Sequence, residues 1–336
     1  MAAEHVTGSS PTRTAAAHML AAWMGGRFYR TFRIAEGGPS SENAGSEAGA
    51  GAFDFVLTQR DRRVGTTVGV LWDEEPRPAG ADALAEMLSG DVEAEEGIVP
   101  GSYAVWVPPK GVIPTDEPEV SDLRLTLARA LRGLDAGERR EARIPVTVKL
   151  AKLQTEGAYV SVVGGLATSW LAMSEGIPGS FHLDSRPIHR LPEETAEVDI
   201  LVSRVRDFAV ALEPGELTDI PLHDHWTVAR LPDSAPAGVT VIAAPPDVDP
   251  VDGTNVRRRF RQEVQRAVDQ KRGGDAELAV LAVVGPFAHI GDELVTASLR
   301  GMNPALYTEL DLIVVIADGV VRQVLQPRSL PWEPAR

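Results

Sequence analysis

ELAVLAVVG (277–285) and LDLIVVIADG (310–319) are the stretches that decide the fold class. Their central residues, 278–284 and 311–317, read as almost unbroken apolar runs of strand length. A strand that is covered on both faces shows no alternation of polar and apolar residues, because neither face meets water. The two runs therefore predict neighbouring strands of a parallel or mixed sheet that is flanked by helices, and so an α/β protein.

The rest of the chain supplies helices and further strands around these two runs. Helical spacing of apolar residues, with caps or glycine stops, predicts helices over 15–24, 81–90, 120–134, 191–212, 255–272 and 292–301. Alternating or short apolar runs between turn residues predict strands over 27–36, 53–58, 62–72, 103–109, 143–150, 158–164, 226–231 and 238–246. The Gly/Ser/Glu stretch 37–52 is expected to be a mobile loop.

The change of pattern along the chain predicts its domain organisation. Residues 1–138 and 253–336 both alternate helices with strands, whereas 139–252 is richer in strand-like runs and prolines. We expect 1–138 to be the first part of an α/β core and 253–336 to complete it or to form a C-terminal subdomain. Residues 139–252 are then a β-rich insertion or a second domain, as 336 residues allow.

Composition excludes several classes of protein. The formal net charge of −15 means that the molecule as a whole repels nucleic acid, so such a contact needs a local basic patch. The absence of cysteine removes disulfides, thiolate nucleophiles and zinc–thiolate sites. No apolar run is long enough to cross a bilayer, and we expect a cytoplasmic protein with no membrane contact. Phosphate-binding loops and nucleophile elbows of known pattern are also absent.

The N-terminal order of elements carries a family resemblance. A helix and a strand are followed by FDFVL (53–57), a turn, RRVGTTVGV (62–70), a helix and a strand. This order resembles the PD-(D/E)XK nuclease-like superfamily, to which many restriction and repair endonucleases belong. The resemblance implies a mixed sheet flanked by helices, a restriction-endonuclease-like core, and Mg²⁺ as the cofactor of a phosphodiesterase.

The same resemblance implies which residues would hold the metal. In the family two carboxylates on adjacent strands bind Mg²⁺, and a lysine two residues further on the same strand face assists the attacking water. Asp54 matches the first carboxylate, while the second carboxylate and the lysine fall on Thr67 and Gly69, which carry no charge. One carboxylate seldom retains Mg²⁺ unless substrate phosphates help. The alternative is that catalytic acids have migrated, with Asp54, Asp73 and Glu74 as the candidates.

The helix predicted at 255–272 is the most basic segment of the chain. It holds seven cationic side chains against Glu263 and Asp269, with an apolar seam that leaves arginines facing solvent. Such side chains bind phosphates, although a solvated face that pairs with acidic neighbours gives the same pattern. The candidates for contact with nucleic acid are Arg257, Arg258, Arg261, Arg266 and Lys271.

His223 and His225 form the one close histidine pair of the sequence. On a strand, residues two apart share a face, so both rings are candidate ligands of one metal ion. The alternative is a surface loop, because PLHDHW (221–226) has a loop-like composition. Asp54, from the resemblance, and His223 and His225, from this pair, are thus candidate metal ligands.

Three functional hypotheses remain open on the sequence. The first is a nuclease-like fold with a degenerate active site that binds nucleic acid or a partner protein without catalysis. The second is a Mg²⁺-dependent nuclease or hydrolase with migrated acidic residues. The third is an oligomeric scaffold or interaction protein in which the β-rich middle supplies the interface.

Overall fold

The computed structural model describes residues 10–35, 52–157, 160–169, 174–248, 253–274, 276–285 and 302–332. These residues form two six-stranded mixed sheets and six helices, which confirms the α/β class. The strands are β1 (Arg33–Ile34), β2 (Phe55–Gln59), β3 (Arg62–Val70), β4 (Ser102–Trp106), β5 (Arg139–Gln154), β6 (Val160–Gly164), β7 (Ser180–Ser185), β8 (Leu217–Arg230), β9 (Gly238–Ile242), β10 (Leu278–Val284), β11 (Leu312–Ala317) and β12 (Val320–Leu325). The helices are α1 (Pro11–Phe28), α2 (Ala81–Ala94), α3 (Glu119–Leu131), α4 (Thr195–Ala211), α5 (Gly253–Gly273) and α6 (Pro304–Tyr307).

The first sheet has the order β1-β2-β3-β10-β11-β12 and is built around three parallel strands. β10 pairs in parallel with both β3 and β11, and every residue of β11 is buried. Helices α1 and α5 both pack on β3 and β10. The apolar runs that predicted two covered faces therefore lie at the centre of a covered sheet, as expected.

The predicted hairpin is also present. β2 and β3 pair antiparallel with Phe55 opposite Thr66 and Gln59 opposite Arg62. Arg60 turns the chain in the left-handed region, with φ of 56°. The hairpin brings Asp54, which directly precedes β2, beside the middle of β3.

The second sheet has the order β6-β7-β5-β8-β4-β9. Its longest contact is the antiparallel pairing of β5 with β8, which extends over thirteen residue pairs. Strand β4 pairs with β8 and β9, so 102–106 belongs to this sheet and not to the first one. Helices α2 and α3 share a core with β4, β8 and β9. The chain thus enters the second sheet well before residue 139, and only its two ends build the first.

Helix α1 links the two sheets. Its buried alanines and leucine share one apolar core with β3 and β10 of the first sheet and with Ala104, Trp106 and Ile242 of the second. Small side chains allow this close approach, since a helix that contacts layers on two sides has little space around its axis. The two sheets are therefore parts of one continuous packing arrangement.

Three local predictions differ from the structure. The helix predicted at 15–24 extends over Pro11–Phe28, because the Ser10 side chain accepts a hydrogen bond from Arg13 N at 3.3 Å and caps the helix just before Pro11. The strand predicted at 27–36 is reduced to Arg33–Ile34. PLHDHW is part of β8 and not a loop. The predictions of a helix at 292–301 and of a mobile loop at 37–52 lie outside the described residues, apart from residue 52.

Candidate functional site

Asp54 lies in a cluster of charged side chains at the start of β2. Its carboxylate accepts a hydrogen bond from the backbone N–H of Val68 at 2.8 Å, and both of its oxygens lie 2.9 Å from Nη1 of Arg266. Nη1 of Arg13 is 3.6 Å from the same carboxylate. The negative charge of Asp54 is therefore compensated by two guanidinium groups and a backbone dipole.

Two further acids complete this group. Arg13 donates from Nε to Glu74 at 2.6 Å, and Arg266 donates from Nε to Glu263 at 2.9 Å. Both arginines also donate to the carbonyl oxygen of Val68. We call Arg13, Asp54, Glu74, Glu263 and Arg266 the Asp54 cluster.

The two positions that the resemblance assigns to the second carboxylate and the lysine are closed. Thr67 is buried and donates its hydroxyl hydrogen bond to the side chain of Gln270 on α5. A Cβ atom at Gly69 would lie 2.6 Å from the Cγ of Glu263, so a lysine has no space there unless Glu263 moves.

These contacts decide whether the Asp54 cluster fits Mg²⁺. Mg²⁺ needs carboxylate oxygens and waters in near-octahedral geometry. Here the shared space between the acids is occupied by the cationic groups of Arg13 and Arg266, which repel a second cation. The residues present at Asp54 therefore do not fit the ion that the resemblance implies.

The three acid candidates do not converge on one point. Asp54 and Glu74 meet in the cluster through Arg13, whereas Asp73 pairs with Arg259 on α5 at 2.7 and 2.9 Å. Hydrogen bonding to Arg259 lowers the pKa of Asp73. Glu263 takes part in the cluster but was missed as a site residue. Its spacing of three residues from Arg266 on a helix was the available signal.

The basic helix α5 uses much of its charge inside the protein. Arg266 pairs with Asp54 and Glu263, and the Nζ of Lys271 lies 2.8 Å from Asp311. These two predicted contacts with nucleic acid are thus structural ion pairs. Arg257, Arg258 and Arg261, which lie in the first half of the helix, are exposed.

A second basic surface lies at the opposite end of β2 and β3. An open groove of about 760 Å³ is lined by Gly25, Tyr29, Arg30, Thr31, Arg33, Thr58, Gln59 and Arg60. We call it the arginine groove. Within the described part of the chain, Arg30, Arg33 and Arg60 form no ion pair with a carboxylate, and all three are exposed. Tyr29 is 88% exposed and has φ of 53°.

Sequence reasoning missed the arginine groove, although a signal was present. RFYRTFR (27–33) and QRDRR (59–63) together hold six arginines and one acid in a chain of net charge −15. The pairing of Arg33 with Thr58 brings the two segments together. The two basic segments are distant in sequence, and they form one surface because β1 pairs with β2.

The histidine pair lies on β8 beneath α4. The Nδ1 atom of His225 is 3.2 Å from Oε2 of Glu141 on β5, and one ligand atom each of His225, Glu141 and Glu197 lies within 4.8 Å of the others. Among the residues that the structure describes, no other group of three or more histidine, aspartate or glutamate side chains meets this condition. Asp54 is not part of it.

His223 lines the same small cavity, of about 160 Å³, as His225 and Glu197. Burial, followed by the neighbouring His225 and Arg143, lowers the pKa of His223 and favours its neutral form. Asp224, between the two histidines, has a separate structural role. It is buried and accepts hydrogen bonds from His189 N, Arg190 N and the indole of Trp226.

No helix within the described ranges combines the length and the apolar character needed to cross a bilayer. Comparisons of the chain with models of protein families, with curated proteins and with solved structures gave no match.

Proposed function

We propose that the protein binds single-stranded nucleic acid through the arginine groove and does not cleave it. The observation that carries the proposal is the group of exposed arginines, Arg30, Arg33 and Arg60, which have no acidic partner among the described residues. On an acidic protein arginines readily pair with carboxylates, as Arg259 and Arg266 of α5 do. Three guanidinium groups that line one groove and have no carboxylate partner in the described part of the chain form a surface suited to an external anion.

The aromatic ring beside these arginines favours a nucleic acid over a simple anion. Single strands bind where cationic side chains follow the phosphates and aromatic rings stack on the bases. Tyr29 offers its ring to solvent at the wall of the groove. Its left-handed backbone is unfavourable for a residue other than glycine, and such conformations concentrate at sites that bind ligands.

The absence of cleavage follows from the Asp54 cluster. The short contact of Asp54 with Val68 N supports the predicted alignment, in which Asp54 lies beside residues 67–69 of a nuclease-like hairpin. On this proposal the first sheet is a restriction-endonuclease-like core, and arginines have replaced its metal. The alternative of migrated catalytic acids requires an ion to displace two guanidinium groups.

A second candidate function is an oligomeric scaffold. Val112 and Leu125, which are 70% and 44% exposed, border an open groove of about 600 Å³ beside Trp226 of the second sheet. A second copy of this chain is the partner that this hypothesis names. Light scattering should then show a dimer that Val112→Asp dissociates, and a strict monomer would exclude it.

The test of the proposed function is the salt dependence of binding to a labelled single-stranded oligonucleotide. Each phosphate contact contributes about −0.7 to the slope of log affinity against log salt. The triple variant Arg30→Ala/Arg33→Ala/Arg60→Ala should weaken binding and reduce the slope by about 2.

The matched control removes the same charge from α5, with Arg257→Ala, Arg258→Ala and Arg261→Ala in one chain. Binding that both triple variants weaken equally would indicate a general charge effect and would contradict the assignment to the groove. Loss in the α5 variant alone would move the binding surface to that helix.

A further inference from the structure

A second site of a different kind lies under α4, where three elements each contribute one ligand-type side chain. Glu141 comes from β5, His225 from β8, and Glu197 from the first turn of α4. The strands fix two of these residues by the pairing of β5 with β8, in which Arg143 lies opposite His225. Side chains that project from regular elements hold their positions better than those on loops.

The geometry matches a pair of ligands on one ion. In a tetrahedral zinc site the metal lies about 2.0–2.2 Å from nitrogen and oxygen ligands, so two ligand atoms are separated by roughly 3.3–3.6 Å. The Nδ1 atom of His225 and Oε2 of Glu141 are 3.2 Å apart. The same separation is that of a simple hydrogen bond, and the experiment below distinguishes the two.

The surroundings add two features of a metal site. The other oxygen of Glu141 accepts a hydrogen bond from the backbone N–H of Glu193 at 3.0 Å, which orients the carboxylate with Oε2 toward His225. The cavity that Glu197 and His225 line also contains His223, two residues along the same strand. His223 is not within the 4.8 Å group, so the fourth position is left to a water molecule.

A cationic side chain, Arg143, competes with a metal ion for Glu197. Arg143 pairs with Glu197, but its side chain is 58% exposed and can turn into solvent without a burial penalty. Arg143 therefore competes only weakly with a metal ion and does not block the site permanently. This differs from Arg266 in the Asp54 cluster, which is less exposed and donates to two acids and a carbonyl.

We propose that Glu141, Glu197 and His225 bind a divalent transition-metal ion of the zinc class. Two carboxylates and a neutral imidazole balance the charge of such an ion and match its preference for nitrogen and oxygen ligands. The inference does not depend on the proposed function, because the site is built on the second sheet and shares no residue with the arginine groove.

The test uses the full chain after treatment with a chelator, with Co²⁺ as the spectroscopic probe and Zn²⁺ as its competitor. We expect one Co²⁺ per chain, with visible absorption of a site of low coordination number, and displacement by Zn²⁺. His225→Ala should weaken binding by more than the roughly 10–100-fold that loss of an outer-sphere partner costs. His182→Ala, on β7, is the matched control and should bind as the wild type does.

Arg143→Ala gives the sharpest discrimination, because it should tighten Co²⁺ binding several-fold by releasing Glu197. A purely structural cluster predicts no such gain. Glu197→Gln keeps the side-chain volume and should weaken binding even if His225→Ala fails to fold. No stoichiometric binding by the wild type, or equal binding by wild type and Glu197→Gln, would overturn the proposal.

Discussion

Tyr29 combines an unfavourable backbone conformation with an exposed aromatic ring. It ends α1 in the left-handed region, where glycine is the usual residue. We predict that Tyr29→Gly raises the free energy of unfolding by about 1 kcal/mol, because it removes the conformational strain. The same change should weaken binding of a single strand by about 1–3 kcal/mol, because stacking is lost.

Opposite signs for stability and affinity separate a ligand-binding role from a structural one. Denaturant unfolding and fluorescence anisotropy of the same samples measure both. Tyr29→Phe is the control, since it keeps the ring and should keep the affinity. Unchanged binding by Tyr29→Gly would remove Tyr29 from the proposed surface.

Arg266 is the residue on which the charge balance of the Asp54 cluster depends most. It donates to Asp54, to Glu263 and to the carbonyl of Val68. Arg266→Met should lower the free energy of unfolding by about 2 kcal/mol, since two largely buried carboxylates lose a charged partner. Arg258→Ala, on the exposed side of the same helix, should change it by less than about 0.5 kcal/mol. If urea unfolding shows the same loss of stability for Arg266→Met and Arg258→Ala, the ion pairs of the Asp54 cluster do not stabilise the fold.

At the scale of elements, close packing on one strand contrasts with free space on a helix. A Cβ atom at Gly65 of β3 would lie 2.3 Å from the ring of Phe53, whereas one at Gly90 of α2 has no heavy atom within 4 Å. Gly65→Ala should destabilise the fold by about 1–3 kcal/mol through overpacking. Gly90→Ala should stabilise it by up to about 1 kcal/mol, since alanine favours helix. Thermal melts that rank the two variants in the other order would contradict this packing.

The sequence predicts elements well where the signal is local. The apolar runs of β10 and β11, the β2–β3 hairpin and the amphipathic pattern of α3 depend on neighbouring residues, and the structure confirms them. The start of β8 was missed because Pro221 and Asp224 are typical of loops. In the structure their backbone lies along β5, with Thr147 opposite Pro221, and this long-range pairing overrides local preference.

The candidate functional sites show the same limit of prediction from sequence, because they too depend on long-range contacts. Asp54 was identified from its place before a strand, but its partners Arg13 and Arg266 are 41 and 212 residues away in sequence. The arginine groove and the Glu141–Glu197–His225 group are likewise assembled from distant segments. A sequence pattern names candidate side chains, whereas pairing between strands decides which of them meet.

At the scale of the whole molecule, a buried ion pair connects the two sheets. Arg190 lies in the loop that follows β7 of the second sheet, and Asp318 lies in the turn between β11 and β12 of the first. The Nη2 atom of Arg190 is 2.5 Å from Oδ1 of Asp318. The side chains are 5% and 1% exposed. Arg190→Met should cost about 3–5 kcal/mol, because it leaves a buried carboxylate without its cation.

The double variant Arg190→Met/Asp318→Asn tests the cause of this loss. It should recover a large part of the stability, since no uncompensated charge remains. Hydrogen exchange should meanwhile show loosening at the contact between the sheets in Arg190→Met alone. If the double variant is no more stable than the single one, the ion pair is not the link that we describe.

The most direct test of the account combines binding and cleavage in one sample. A labelled single-stranded oligonucleotide is incubated with the full chain and Mg²⁺ at low salt, its anisotropy is read, and its length is then measured on a denaturing gel. We predict raised anisotropy with the oligonucleotide intact. Unchanged anisotropy, or shortened oligonucleotide that Asp54→Ala leaves intact, would contradict a protein that binds nucleic acid without cutting it.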